Sequence, residues 1–106
     1  MGRKPDKTFT KVIGSKRYSV EKATLIADDL YLDERGQGYD RGGRNTFLYR
    51  TPKGAYFTVT TFTDPRDTDV LNPVSLDEAI ELYNGMRKDK RLPFAEAFPG
   101  VEITDA

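Results

Sequence analysis

Between Asn45 and Phe62 the chain reads Asn-Thr-Phe-Leu-Tyr-Arg-Thr, then Pro-Lys-Gly, then Ala-Tyr-Phe-Thr-Val-Thr-Thr-Phe, a pattern that few folds accommodate. Two runs rich in aromatic and β-branched residues flank a short loop holding Pro52 and Gly54, the signature of a β-hairpin. Pro52 pre-sets φ for the first corner of a type I turn, and Gly54 can take the left-handed conformation that closes the loop with a bulge. In that register Thr51 faces Ala55, Tyr49 faces Phe57 and Phe47 faces Val59, all on one side, because side chains alternate along a strand. Leu48 against Thr58, Arg50 against Tyr56 and Thr46 against Thr60 occupy the other side. The first side reads as core and the second as mostly solvated.

A chain of 106 residues is long enough for one self-sufficient core. Its 37% hydrophobic and 32% charged content is that of a soluble protein. No apolar run approaches the roughly 20 residues of a membrane helix. The basic N-terminal stretch is not followed by an apolar one, so no secretory signal is expected. These features point to a cytoplasmic protein with no membrane partner. The chain has no cysteine and no histidine. Disulfides, thiolate metal sites and thiol nucleophiles are thereby excluded, as are the usual general base and zinc ligand. Only carboxylates, Lys, Tyr and Ser/Thr remain for chemistry, which argues against an enzyme and against a metal or cofactor.

The zero net charge conceals a split. Residues 1–22 hold Arg3, Lys4, Lys7, Lys11, Lys16, Arg17 and Lys22 against Asp6 and Glu21, a net +5; from residue 54 onward ten acids oppose five cations, a net −5. Such polarity suits one end facing a polyanion, or two ends that attract each other within or between chains.

Residues 1–8 lack apolar periodicity and read as a flexible basic tail before a single α+β domain over 9–106. Phe9 to Ile13 is a strand candidate ended by Gly14-Ser15, and Lys16 to Val20 a second. For the next stretch two readings stand: a helix from Ser19 with Val20, Ala23, Ala27 and Leu30 on one stripe, or a strand over Ala23 to Ala27, which the flanking turn residues favour. Asp33 to Asn45, with four glycines and three arginines, reads as a mobile loop entering the hairpin. Thr63 to Asp69 is a polar connection, and Val70 to Pro73 carry the chain to a helix start. Ser75 and Glu78 make a capping box, with Val74 and Ala79 at the staple positions. Leu76, Ala79, Ile80, Tyr83 and Met86 form the apolar stripe, and Asn84-Gly85 a left-handed stop. Lys88 to Arg91 is a charged link, Pro93 to Phe98 one more helical turn, and Val101 to Ile103 a short edge strand.

This order resembles a group of small uncharacterised bacterial and phage-associated proteins. They share a Tyr-x-[ST]-x-x-x-Ala-like start, a Leu-Tyr-Arg-Thr-x-x-Gly-x-Tyr-Phe hairpin and a Pro-[LV]-[ST]-x-x-Glu-Ala helix start. Here the corresponding residues are Tyr18 and Ala23 (with altered spacing), Leu48-Tyr49-Arg50-Thr51, Gly54, Tyr56-Phe57, Pro73-Val74-Ser75, Glu78 and Ala79. Thr58-Val-Thr-Thr61 stands where many of that group are Gly-rich. The resemblance implies a compact hairpin-plus-helix domain and brings no activity with it.

Several groups are candidate sites. Arg35, Gly36, Gly38, Tyr39, Arg41, Gly42, Gly43 and Arg44 resemble Arg-Gly segments that bind single-stranded nucleic acid, although Asp33, Glu34 and Asp40 dilute the charge and a plain loop has the same composition. Lys4, Lys7, Lys11, Lys16 and Arg17 suit phosphate contacts, or simple solvation. Arg50 opposite Tyr56 suits a cation–π pair or an exposed ligand patch. Asp64, Asp67 and Asp69 lack the Gly and distal Glu of a calcium loop and read as a solvated turn. Asp28, Asp29, Asp33 and Glu34 would have to converge to bind Mg²⁺ or act as paired carboxylates. Tyr83 and Phe94, if left uncovered, would form a homodimer patch.

The expected architecture is α+β: an antiparallel meander of three to five strands, one main helix from Ser75 packed on the face bearing Phe47, Tyr49, Phe57 and Val59, and a short C-terminal helical turn. The leading functional expectation is a non-catalytic binding or regulatory module that contacts a protein partner or itself. The alternative is a nucleic-acid-binding module using the basic N-terminus and the Arg/Gly loop. The third, a His-free enzyme, would need a cleft gathering Asp28, Asp29 and Arg50.

Overall fold

The computed structural model describes residues 2–32, 34, 35, 38, 39 and 42–105. At its centre β6 (Arg44–Arg50) and β7 (Tyr56–Phe62) pair antiparallel in the expected register, with Phe47 opposite Val59, Tyr49 opposite Phe57 and Arg50 opposite Tyr56. Thr51 N–H donates to Ala55 O at 2.8 Å, and Gly54 closes the turn at φ 85°. β3 (Thr24–Asp28) adds to β6, and β8 (Val70–Val74) adds to β7, so the four-stranded order is β3-β6-β7-β8. The strand alternative for residues 23–27 therefore holds. The sheet gains β8, where only a connection was expected. Pro73, which argues against a strand in the middle of a sheet, is tolerated because β8 is an edge.

Both faces of this sheet are covered, contrary to the expectation of one core face and one wet face. On the face of Phe47, Tyr49, Phe57 and Val59 lies not the helix but a second hairpin, β1 (Thr10–Ile13) and β2 (Lys16–Ser19), which contributes Tyr18 and is followed by Val20 and Leu30. Its two-residue turn has both Gly14 and Ser15 left-handed, at φ 58° and 67°. The helix α1 (Leu76–Asn84) packs on the opposite face, where Ala79 and Tyr83 meet Ile26, Ala27, Leu48 and Tyr56. The physical reason is that Leu48, Tyr56 and the methyl of Thr58 make the second face apolar enough to need its own cover, and all three are buried. An irregularity between Leu25 and Ala27 in the β3–β6 pairing accompanies the burial of consecutive residues Ile26 and Ala27 in this helix-side core.

Ser75 caps α1 with the full reciprocal capping box: Glu78 N–H donates to its hydroxyl, and its own N–H donates to the Glu78 carboxylate, both at 3.1 Å. Gly85 ends the helix in right-handed geometry (φ −81°), not the left-handed stop expected of Asn84-Gly85, with its N–H bonded to Glu81 O and Leu82 O. A short 3₁₀ turn, Lys88–Lys90, returns the chain to the outer edge of β3, where Leu92 N–H donates to Ile26 O at 2.9 Å. Helix α2 (Phe94–Ala97) is the expected extra turn, and Phe98 seals the core against Tyr56 and Tyr83. Residues 101–105 have no regular structure, so the expected edge strand over Val101 to Ile103 is absent: Val101 N–H is held to Phe98 O, and Val101 packs against the helix-side core.

The N-terminal stretch was expected to hang free. It has no regular structure, but it lies against the domain. Pro5 is buried, Thr61 Oγ1 donates to Arg3 O at 2.7 Å, and the Arg3 guanidinium pairs with Asp69. A side chain at Gly2 would collide with Asn45 and Leu30. Part of the segment expected as an irregular loop is ordered into a short ladder, β4 (Tyr31–Leu32) with β5 (Gly38–Tyr39), and β6 has already begun at Arg44.

The central tyrosine makes the fold sensitive to alkali. Burial of Tyr49, reinforced by the nearby Asp28 carboxylate, pushes its hydroxyl up to about 12. The unfolded chain therefore ionises this group first, near the ordinary value of about 10. The stability linked to Tyr49 is complete below about pH 10 and is lost as the pH rises through about 12. Denaturant midpoints measured across that window should fall more steeply for the native chain than for Tyr49→Phe. Equal slopes would refute the linkage.

Candidate polyanion-binding groove

The β1–β2 turn packs beside the β6–β7 turn, and the two enclose a groove of about 620 Å³. Its cationic lining is Lys16 and Arg17 from β2, Lys22 from the following turn, and Lys53 from the Pro-Lys-Gly loop. No acidic residue lines it, and the hydroxyl-bearing Ser15, Ser19 and Thr51 complete the polar walls. Tyr18 forms the floor, buried edge-on against Phe57 at 5.6 Å. Four positive charges thus meet across a concave surface, where their fields add.

Several cations elsewhere have local partners. Arg3 pairs with Asp69, Arg66 with Asp64 at 2.8 Å, Arg87 with Asp89 at 3.0 Å and Lys90 with Asp28 at 3.4 Å. Arg91 donates to Tyr83 O and stacks over the Tyr83 ring. Among the described residues, Lys16, Arg17, Lys22 and Lys53 form no ion pair, and all four are exposed. An uncompensated cationic cluster is costly to hold together without counterions, so it is primed to exchange them for a multivalent anion.

Of the residues singled out in the sequence, Lys16 and Arg17 lie in this groove. Lys11 stands on the same hairpin, its ammonium 5.8 Å from the Phe9 ring, and Lys4 and Lys7 are exposed along the segment that leads to it. Arg44 lies at the opposite end of β6, opposite Phe62, about 20 Å from Arg50 at the usual rise per strand residue. Arg35 is exposed beyond β4, Tyr39 belongs to β5, and Arg41 lies outside the described residues. The groove cations Lys16 and Arg17 therefore lie apart from Arg44, whereas the N-terminal segment at Gly2 and Arg3 runs beside Asn45 and Thr61, next to Arg44. Lys53 and Lys22 were not among the expected contacts. Lys53 sits in the Pro-Lys-Gly turn, where a lysine reads as ordinary turn chemistry until the second hairpin is seen beside it.

The other candidate groups serve the fold. Arg50 donates to the carbonyls of Glu96 and Ala97, the latter at 2.8 Å, capping the C-terminal end of α2 instead of stacking on Tyr56. Asp28 accepts from Leu30 N–H at 2.9 Å, and Asp29 accepts from Thr46 N–H at 2.8 Å and from Asn45 Nδ2 at 3.1 Å. Asp28 pairs across from Phe47, and Thr24 at the other end of β3 from Arg50, so Asp28, Asp29 and Arg50 are not gathered in one cleft. Asp33 lies outside the described residues. The Arg66 guanidinium beside Asp64 holds that carboxyl below the usual range, while Asp69 turns to Arg3. Among the described residues no cluster of three or more potential ligands is arranged to hold a metal ion. Tyr83 is covered by Phe94 and Phe98 and donates to Leu92 O at 2.6 Å, so the condition for a dimer patch there, an uncovered Tyr83, is not met.

No helix among the described residues is long and apolar enough to cross a membrane. No family model, no curated protein and no solved structure matches this chain. Fold and groove together define a small α+β domain in which a four-stranded sheet separates a basic hairpin layer from a helical layer.

Proposed function

We propose that this protein is a non-catalytic binding module whose basic groove takes the phosphate backbone of a nucleic acid. The observation that carries this reading is the convergence of Lys16, Arg17, Lys22 and Lys53, none neutralised, on one concavity. No exposed aromatic ring lines the groove, since Tyr18 is buried. Contacts there go to phosphates and not to bases, and binding is indifferent to sequence. An accessory role also suits the resemblance to small bacterial and phage-associated proteins. The expectation of protein contacts, including self-contacts, is supported by a different surface, the open edge of β1.

The test is fluorescence anisotropy of labelled single-stranded and duplex oligonucleotides titrated at several salt concentrations. Neutralising about four phosphates gives a slope of log K against log salt of about −2.8 on single strands and about −3.6 on duplex. Different base compositions should bind alike. The proposal fails if nothing binds at low salt, or if the slope is unchanged when groove lysines are reversed.

A further inference from the structure

The edges of the sheets are not protected alike. The outer edge of β3 is closed by Arg91 and Leu92, and that of β8 is interrupted by Pro73, which has no N–H to offer. Among the described residues, β1 pairs only with β2. The bond from Val20 N–H to Phe9 O sets the alternation of the β1–β2 ladder, so Thr10 and Val12 turn their N–H and C=O groups to the outside. Val12 is also 64% exposed.

We infer that the outer edge of β1 takes residues 101–105 of a second copy of this chain as an added strand. That segment reads Val-Glu-Ile-Thr-Asp, carries no regular structure and exposes Ile103 at 72%, more than any other large hydrophobic residue described. An extended segment with alternating apolar and polar residues gains both backbone bonds and apolar cover on such an edge. Charge selects the pairing. Glu102 and Asp105 approach a hairpin bearing Lys11, Lys16 and Arg17, whereas two β1 edges meeting each other would double those cations. A lysine on an edge repels neutral or basic strands and admits an acidic one.

The wider surface has the same polarity. Residues 2–22, over one face of the sheet, carry seven cations and two acids, while residues 75–105, over the other, carry seven acids and four cations. Within one molecule the segment starts on the wrong side: Val101 belongs to the helix-side core, whereas Phe9, Tyr18 and Val20, which flank or belong to the β1–β2 hairpin, pack on the opposite face. A second copy is therefore the occupant, and the contact is heterologous.

Val12→Lys removes the receiving edge, and Ile103→Lys removes the donated strand; both positions are exposed, so neither substitution disturbs the core. By sedimentation velocity the native chain should self-associate with rising concentration, and less so at high salt. Each variant alone should associate about tenfold more weakly or worse, the effect of losing one buried aliphatic contact. Mixed in equal amounts, the two variants should form a one-to-one complex, because each retains what the other lacks. A mixture that stays monomeric, a native chain that stays monomeric, or a variant that associates like the native chain overturns the inference. None of these outcomes depends on nucleic acid, so they leave the groove proposal standing or falling on its own test.

Discussion

Phe57→Ala is expected to cost about 3–5 kcal/mol of folding stability, the range for removing a fully buried aromatic ring. A domain of this size has only about 5–15 kcal/mol in total. Phe57 has no exposed surface, lies near the start of the central strand β7, stacks on Tyr49 at 5.1 Å and packs edge-to-face with Tyr18 at 5.6 Å. Its ring joins β6, β7 and the β1–β2 hairpin, so the cavity left behind cannot close without moving one of them. Urea unfolding should show a lower midpoint, and the melting temperature should fall by more than about 12 °C. Phe57→Leu, which keeps most of the volume, should cost less. Because Tyr18 is the floor of the groove, the alanine variant should also weaken oligonucleotide binding at temperatures where it is still folded. A loss below about 1 kcal/mol would mean that the hairpin layer is not packed against the sheet as described.

The same ring explains why part of this fold was legible in the sequence and part was not. The β6–β7 register follows from local chemistry: Pro52 and Gly54 determine the loop, and alternation then assigns every pair from Arg50 opposite Tyr56 to Phe47 opposite Val59. The helix start is equally local, since Ser75 and Glu78 satisfy each other's backbone groups. Which layer covers which face is not local. Leu48, Thr58 and Arg50 alternate with aromatic residues and look solvated, but the burial of Leu48 and the anchoring of Arg50 depend on α1 and α2 arriving from elsewhere in the chain. Arg50 shows this best: its partners, the carbonyls of Glu96 and Ala97, lie more than forty residues away. β8 was hidden by Pro73, a residue that is informative only once the strand is known to be an edge. The N-terminal segment was hidden because its anchors are backbone and small-residue contacts, Arg3 O with Thr61 and Gly2 against Leu30, which leave no apolar periodicity behind.

The groove follows the same rule, and it yields the second large effect. Lys16 and Lys53 are 37 positions apart and meet only because two hairpin turns share one end of the sheet. Reversing both, Lys16→Glu with Lys53→Glu, leaves every ion pair described above intact and touches no core residue. Each phosphate contact contributes about 5- to 8-fold in affinity at 0.1 M salt relative to 1 M. Losing two contacts should therefore weaken oligonucleotide binding by at least about 25-fold, with added repulsion from the new carboxylates. The salt slope should drop by about 1.4 on single strands and about 1.8 on duplex. Reversing Arg44, at the far end of β6, should change affinity little, because it lies outside the concavity where the four charges act together. If instead the Arg44 variant loses as much as the double variant, binding follows diffuse charge over the whole basic surface and the groove has no special role. If the double variant binds like the native chain at low salt, the phosphates lie elsewhere, and the four cations serve only to keep the hairpin layer hydrated.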